Sequence, residues 1–91
     1  MTKISIEELW RRLKELEGHE FKTIRGLPFT YDIVGNVFHP SRTKYNIGRS
    51  DFQKALELVP LSGPGKLGNL VRGQPYIWAL LHDSRVRQND W

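Results

Sequence analysis

The first apolar residues of the chain recur with the spacing of an amphipathic helix. They share one face of a 3.6-residue repeat and are Ile6, Leu9, Trp10, Leu13 and Leu16. Ser5 followed by Glu8 forms a capping box, in which each side chain can satisfy a free backbone N–H of the other residue. Gly18 is a typical residue just after a helix C-terminus. The pattern therefore predicts a helix over residues 6–17.

The segment after this helix has the period-two alternation of half-buried β-strands. It predicts strands at residues 21–24, 29–34, 37–40 and 45–47, with a turn at residues 25–28. Gly35-Asn36 suits a two-residue hairpin turn with glycine at its first central position. A loop of that length places Ile33 opposite Phe38 and Asp32 opposite His39. The segment thus predicts an antiparallel meander.

The last part of the chain reads as short helices. Ser50 and Gln53 form a second capping box, and Pro60 is expected to stop the helix that it opens. Residues 66–71 are compatible with one or two helical turns, although Gly68 weakens them. Pro75 fits the first position of a last helix over residues 75–82. The tail, residues 84–91, is expected to be loosely ordered.

This order of elements predicts the α+β class: an N-terminal helix, a three- to four-stranded antiparallel β-meander, and two or three short C-terminal helices. A chain of 91 residues is long enough for one core and too short for two, so residues 1–91 should form a single domain. The residues expected in its core are Trp10, Phe29, Ile33, Phe52, Leu56, Ile77 and Leu80.

Composition argues against several kinds of chemistry. Without cysteine, the chain cannot form disulfides, thiolate metal sites or cysteine nucleophiles, which fits the reducing cytoplasm. The three histidines are widely spaced and match no metal-binding motif. Asp32 facing His39 could act as an acid–base couple, but a structural cross-strand pair is the favoured interpretation. We therefore expect no catalysis, no metal and no cofactor. No signal peptide or membrane-spanning segment is expected either.

Positive charge is concentrated in the middle of the sequence. The net charge is +4, and residues 21–50 hold five Lys or Arg against a single Asp, interleaved with aromatic residues. A basic, aromatic ribbon predicts a polyanionic partner, most simply duplex or single-stranded nucleic acid, with Tyr31 and Tyr45 able to stack on bases if they face outward. The candidate contact residues are Lys22, Arg25, Arg42, Lys44, Tyr45, Arg49, Lys66 and Arg72.

Three further interpretations remain at this point. The sequence Gly63-Pro64-Gly65-Lys66 lacks the spacing of a phosphate-binding loop, so a bare turn is favoured, with a modest phosphate contact open. The helix after Pro75 is too apolar to read base edges as a helix-turn-helix would. The alternative function is a protein-interaction or inhibitor module that binds an acidic protein surface. It would use aromatic anchors such as Trp78 and Trp91 or an edge strand.

Overall fold

The predicted α+β class is confirmed. A computed structural model describes residues 4–44, 46–68 and 70–91. Its helices are α1 (Ile6–Glu15), α2 (Arg49–Leu56), α3 (Gln74–Leu81) and α4 (Ser84–Arg87), with a 3-10 helix at Pro64–Leu67. Its strands are β1 (Phe21–Lys22), β2 (Pro28–Phe29), β3 (Tyr31–Val34), β4 (Val37–Pro40) and β5 (Ile47–Gly48). Strands β1 and β2 pair in one small sheet, and β3, β4 and β5 form a second.

The predicted hairpin register is confirmed. Strands β3 and β4 are antiparallel, with Ile33 opposite Phe38 and Asp32 opposite His39. Gly35 has φ +61°, a conformation that glycine adopts at little cost. The two sheets are joined where Thr30 and Ser41 exchange hydrogen bonds of 2.9 Å. Strands β2 and β3 are therefore almost continuous, and this one stretch of chain takes part in both sheets.

The core lies between the sheets and the helices, and every residue predicted for it is buried. Its centre is an aromatic group in which Phe38 stacks on Tyr31 at 4.6 Å and meets Phe52 at 5.0 Å. The hydroxyl of Tyr31 donates to the backbone oxygen of Leu13 at 2.7 Å. Burial, aided by the charge of Glu17, raises the pKa of Tyr31 above its usual range. Tyr31 faces inward, so the idea that it stacks on bases is wrong.

Two helix starts differ from the predictions. Helix α2 begins at Arg49 with Gly48 as its N-cap, and Ser50 lies inside its first turn without a capping bond. The reason is that Gly48 still pairs with Val37, so the chain passes from strand to helix without a linker. The helical turn expected at residues 66–71 is a 3-10 helix that begins two residues earlier, with Pro64 at its first position.

The C-terminal tail, for which loose order is expected from the sequence, contacts the rest of the fold. It contains α4, capped by the side chain of Asp83. Arg12 of α1 donates to the backbone oxygen of Val86 at 2.7 Å and to the carboxylate of Asp90 at 2.6 Å. The indole N–H of Trp91 donates to the oxygen of Leu81 at 2.7 Å. These partners are distant in sequence, so no local pattern could have indicated them.

His82 joins α3 to the loop that follows α2. Its Nε2 accepts the N–H of Leu61 at 2.9 Å, and its Nδ1 lies 3.0 Å from the oxygen of Trp78. A neutral ring with its proton on Nδ1 satisfies both contacts. The ring also stacks on Trp78 with centroids 4.8 Å apart. Burial lowers the pKa of His82, and the nearby charge of Arg87 acts in the same direction.

The stability of the fold should therefore decrease in mild acid. A histidine with a lowered native pKa binds fewer protons when folded, so its contribution is complete above its ordinary pKa of 6.5 and decreases as the pH falls below that value. Chemical denaturation should give a lower free energy of unfolding at about pH 5.5 than at about pH 7.5. The difference should shrink in His82→Gln and persist in His19→Gln, since His19 is exposed. Equal pH dependence in both variants would contradict this account.

Candidate functional site

The outward face of the three-stranded sheet is not basic. Burial alternates along the strands, and the side chains that point away from the core are those of Asp32, Val34, Val37 and His39. Asp32 and His39 are direct cross-strand neighbours, but no hydrogen bond joins their side chains. The cations of residues 21–50 therefore lie outside β3, β4 and β5: Lys22 is in β1, and the others are in turns or loops or at the start of α2.

Arg49 lies at the turn end of the hairpin and is engaged there. Its guanidinium donates to the carboxylate of Glu7 at 3.1 Å and to Oδ1 of Asn36 at 3.3 Å. It also lies over the ring of Trp10, 5.9 Å from the centroid. These contacts tie α2 to α1 and to the hairpin turn. Arg49 thus contributes to the packing of the fold, and it lies apart from the other candidate cations.

Four other candidate cations lie on or beside the β1–β2 pair and in the loop after β4, away from the Gly35-Asn36 turn. Lys22 lies directly opposite Pro28 in the β1–β2 pair, and Arg42 donates to the backbone oxygen of Pro28 at 3.3 Å. Arg25 lies in the turn between β1 and β2, and Lys44 follows Arg42 by two residues. All four are exposed, and within residues 4–44, 46–68 and 70–91 none forms an ion pair.

A groove of about 300 Å³ opens beside Arg25. It lies between the β1–β2 turn on one side and the start of the 3-10 helix and of α3 on the other. Its principal lining residues are Ile24, Arg25, Leu27, Pro64, Pro75 and Tyr76. Ile24 and Leu27 are 54% and 45% exposed, so the groove presents apolar surface to solvent. Arg25 is the charged member of the lining, and no carboxylate belongs to it.

Local contacts hold the walls of the groove. The hydroxyl of Thr23 accepts the N–H of Leu27 at 3.2 Å, and the backbone N–H of Thr23 donates to the oxygen of Leu27 at 3.0 Å. Gly26 has φ +82°, which completes this tight turn. Across the groove, the ring of Tyr76 meets that of Phe29 edge to face at 5.0 Å. The groove is therefore built on the core and does not depend on a loose loop.

A shallower depression of about 290 Å³ adjoins the groove and is lined by Ser62, Gly63, Gly65 and Lys66. Gly65 lines both, so Lys66 lies next to a residue of the groove. Arg72 is exposed and immediately precedes Gly73, the N-cap of α3. We call Lys22, Arg25, Arg42, Lys44 and Lys66 the basic end of the molecule.

The predicted set is not kept together. The basic end includes five of its members, Arg72 follows Lys66 by six residues in the sequence, and Arg49 is separate. Tyr45 lies outside the described residues. Sequence reasoning missed the groove and Tyr76, since the walls come from segments some forty residues apart. The one available signal was the pair of apolar residues, Ile24 and Leu27, inside a turn.

The two tryptophans proposed as protein anchors are partly buried and bonded within the fold. The indole N–H of Trp78 donates to the backbone oxygen of Leu61 at 3.0 Å, as that of Trp91 does to Leu81. Trp78 also stacks on His82. Their polar atoms are thus used internally. Exposed apolar side chains are found instead at Ile24 and Leu27 in the groove, and elsewhere at Val34, Leu58 and Leu70.

In the described part of the chain, no group of three or more His, Asp or Glu side chains lies close enough together to hold a metal ion. None of the described helices combines the length and the apolar character needed to cross a membrane.

The chain matches no family model, and it has no significant similarity to any curated protein or solved structure.

Proposed function

We propose that this protein acts without catalysis, by binding nucleic acid through its basic end. The observation that supports the proposal is the presence of five exposed cations in the β1–β2 pair, its turn, the loop after β4 and the margin of the groove, none of them in an ion pair among the described residues. Elsewhere, Arg11, Arg12, Arg49 and Arg85 are each paired with a carboxylate of the protein, while Lys14 and Lys54 are exposed and unpaired in the part of the chain that the structure describes. Exposed cations without an ion pair are suited to the phosphates of a polyanion.

Phosphate contacts of this kind determine how binding should behave. Each Lys or Arg that meets a phosphate releases condensed counterions, so the logarithm of the binding constant falls with the logarithm of the salt concentration. The slope is about −0.9 per contact on duplex DNA and about −0.7 on a single strand. Phosphate contacts position a protein without reading sequence, so discrimination between sequences should be weak. We place this activity in the cytoplasm, since a chain without cysteine suits a reducing compartment.

Fluorescence anisotropy tests the proposal on the unmodified protein. Labelled single-stranded DNA, duplex DNA and RNA of about 20 nucleotides would be titrated at several salt concentrations between about 50 and 200 mM. We expect binding at the lowest salt and a steep loss of affinity as salt rises, corresponding to three to five phosphate contacts. If none of the three nucleic acids binds at low salt, the proposal is wrong.

A second candidate function is supported by the exposed Ile24 and Leu27. An acidic protein segment with apolar anchors could bind in the groove, and its affinity would depend on those anchors more than on charge. Such a complex should survive at about 0.5 M salt, where exposed charges are strongly screened. It should weaken in Ile24→Gln and persist in the matched surface variant Val34→Gln, since Val34 is 68% exposed on the sheet. Loss of the complex at high salt would exclude this candidate.

A further inference from the structure

We propose that the groove receives a nucleobase of a single-stranded nucleic acid, which contacts Tyr76 while the adjoining phosphates lie at Arg25 and Lys66. This inference rests on the proposed function and adds the class of ligand and the position of its base. It gives the groove and the Gly63–Lys66 segment a joint role, since Gly65 borders both depressions. Phosphate binding alone would require neither the groove nor the Gly63–Lys66 segment.

The lining of the groove suits a flat, largely apolar ring. Two proline rings, Pro64 and Pro75, lie with Tyr76 on one side, and the side chains of Ile24 and Leu27 lie on the other. The volume of about 300 Å³ is at the small end of the range for ligand pockets, ~300–1,000 Å³. An aromatic side chain in such a groove offers a surface on which any base can stack.

Polar groups in and beside the groove can bind the hydrogen-bonding edge of a base and the phosphates next to it. Gln74 also lines the groove, and its side-chain amide can both donate to and accept from a base edge. Arg25 lies in the lining and Lys66 in the adjoining depression, so a phosphate on either side of the base would meet a cation. No carboxylate among the lining residues would repel it. An apolar centre with cations at its margins complements a nucleotide better than an uncharged apolar ligand.

The geometry favours a single strand over a duplex. Bases of a duplex are paired and stacked inside the helix, and extruding one breaks its pairing and stacking. A single strand presents its bases freely and binds by a positively charged groove together with aromatic stacking. The duplex should therefore use only the phosphate contacts of the basic end. Stacking of a base on Tyr76 would add a contribution to affinity that depends only weakly on salt concentration.

An abasic oligonucleotide separates the two contributions. A strand of about 20 thymidines and an abasic strand of equal length carry the same phosphates, and only the first carries bases. We expect the unmodified protein to bind the thymidine strand at least about fivefold more tightly, because stacking is worth about 1–3 kcal/mol per base. Tyr76→Leu should remove that difference and leave the affinity for the abasic strand unchanged. Tyr76→Phe, which keeps the ring, should retain the preference.

The outcomes distinguish this inference from the proposed function. Circular dichroism would first show that both Tyr76 variants are folded, since the ring also contacts Phe29. If the protein binds both strands equally, or if Tyr76→Leu keeps the preference, the base site is wrong and phosphate binding stands. If neither strand binds, the base site is wrong, and the titrations with duplex DNA and RNA decide whether the proposed function is wrong too. Should Tyr76→Leu fail to fold, Ile24→Gln replaces it, with Val34→Gln as the matched control, and is read in the same way.

Discussion

Replacing Phe38 by alanine is expected to destabilise the protein by about 3–5 kcal/mol, the cost of removing a large aromatic side chain from a packed core. Phe38 is completely buried and packs between Tyr31 and Phe52. A small domain has a total stability of only about 5–15 kcal/mol. Urea denaturation followed by circular dichroism should therefore show a midpoint shifted to much lower denaturant concentration, or no folded baseline.

The neighbouring residue provides the control for this prediction. Val37 lies beside Phe38 in β4 but points away from the core and is only partly buried. Val37→Ala should cost less than about 1.5 kcal/mol, the range for a small change outside a tightly packed position. If the two variants lost similar stability, the assignment of inward and outward faces in the hairpin would be wrong.

Arg12→Ala is expected to have the second-largest effect, about 3 kcal/mol. Removing one partner of a buried ion pair costs about 3–5 kcal/mol, and the lower end applies because the side chains of Glu8 and Asp90 keep about a third of their surface exposed. Burial tends to lower the pKa of Arg12, but its bonds to Asp90 and Glu8 outweigh burial and raise it. The variant should also release α4, seen as faster amide exchange at Val86.

Arg11 is the matched control for Arg12. It precedes Arg12 on α1 and pairs with Glu8 and Glu15, but its side chain is 54% exposed. Exposed pairs contribute little to stability, so Arg11→Ala should leave the denaturation midpoint and the exchange at Val86 nearly unchanged. A comparable loss in both variants would show that the charge of α1 matters and the anchoring of the tail does not.

The parts of the fold that were predictable are those set by local rules. The period of two placed Ile33 opposite Phe38 because a two-residue turn leaves one register that buries one face. The capping bond from the Glu8 N–H to the Ser5 hydroxyl forms at 3.1 Å, as its spacing indicated. By contrast, the capping box at Ser50 failed because pairing of Gly48 with β4 decided where the helix begins.

The candidate site was predictable only in part, for a physical reason. Charge counting found the basic residues. It could not separate unpaired cations from paired ones, because the two look alike in a sequence. It could not show that Arg49 would meet Glu7, which is 42 residues away. Nor could it show that Tyr31 would be buried while Tyr76, in an apolar helix, would border a groove. Tertiary packing made those distinctions.

The central claim is that the basic end meets the phosphates. Its most direct test compares two double variants of equal charge and chemistry: Lys22→Gln/Lys66→Gln at the basic end and Lys14→Gln/Lys54→Gln on helices α1 and α2. All four lysines are exposed, and none forms an ion pair in the part of the chain that the structure describes.

The measurement is the salt dependence of single-stranded DNA binding by both variants and the unmodified protein. The basic-end variant should bind more weakly at low salt, and its log–log slope should be shallower by about 1.4, two contacts at about 0.7 each. The helix variant should keep the slope of the unmodified protein. Indistinguishable slopes for the two variants would contradict the account.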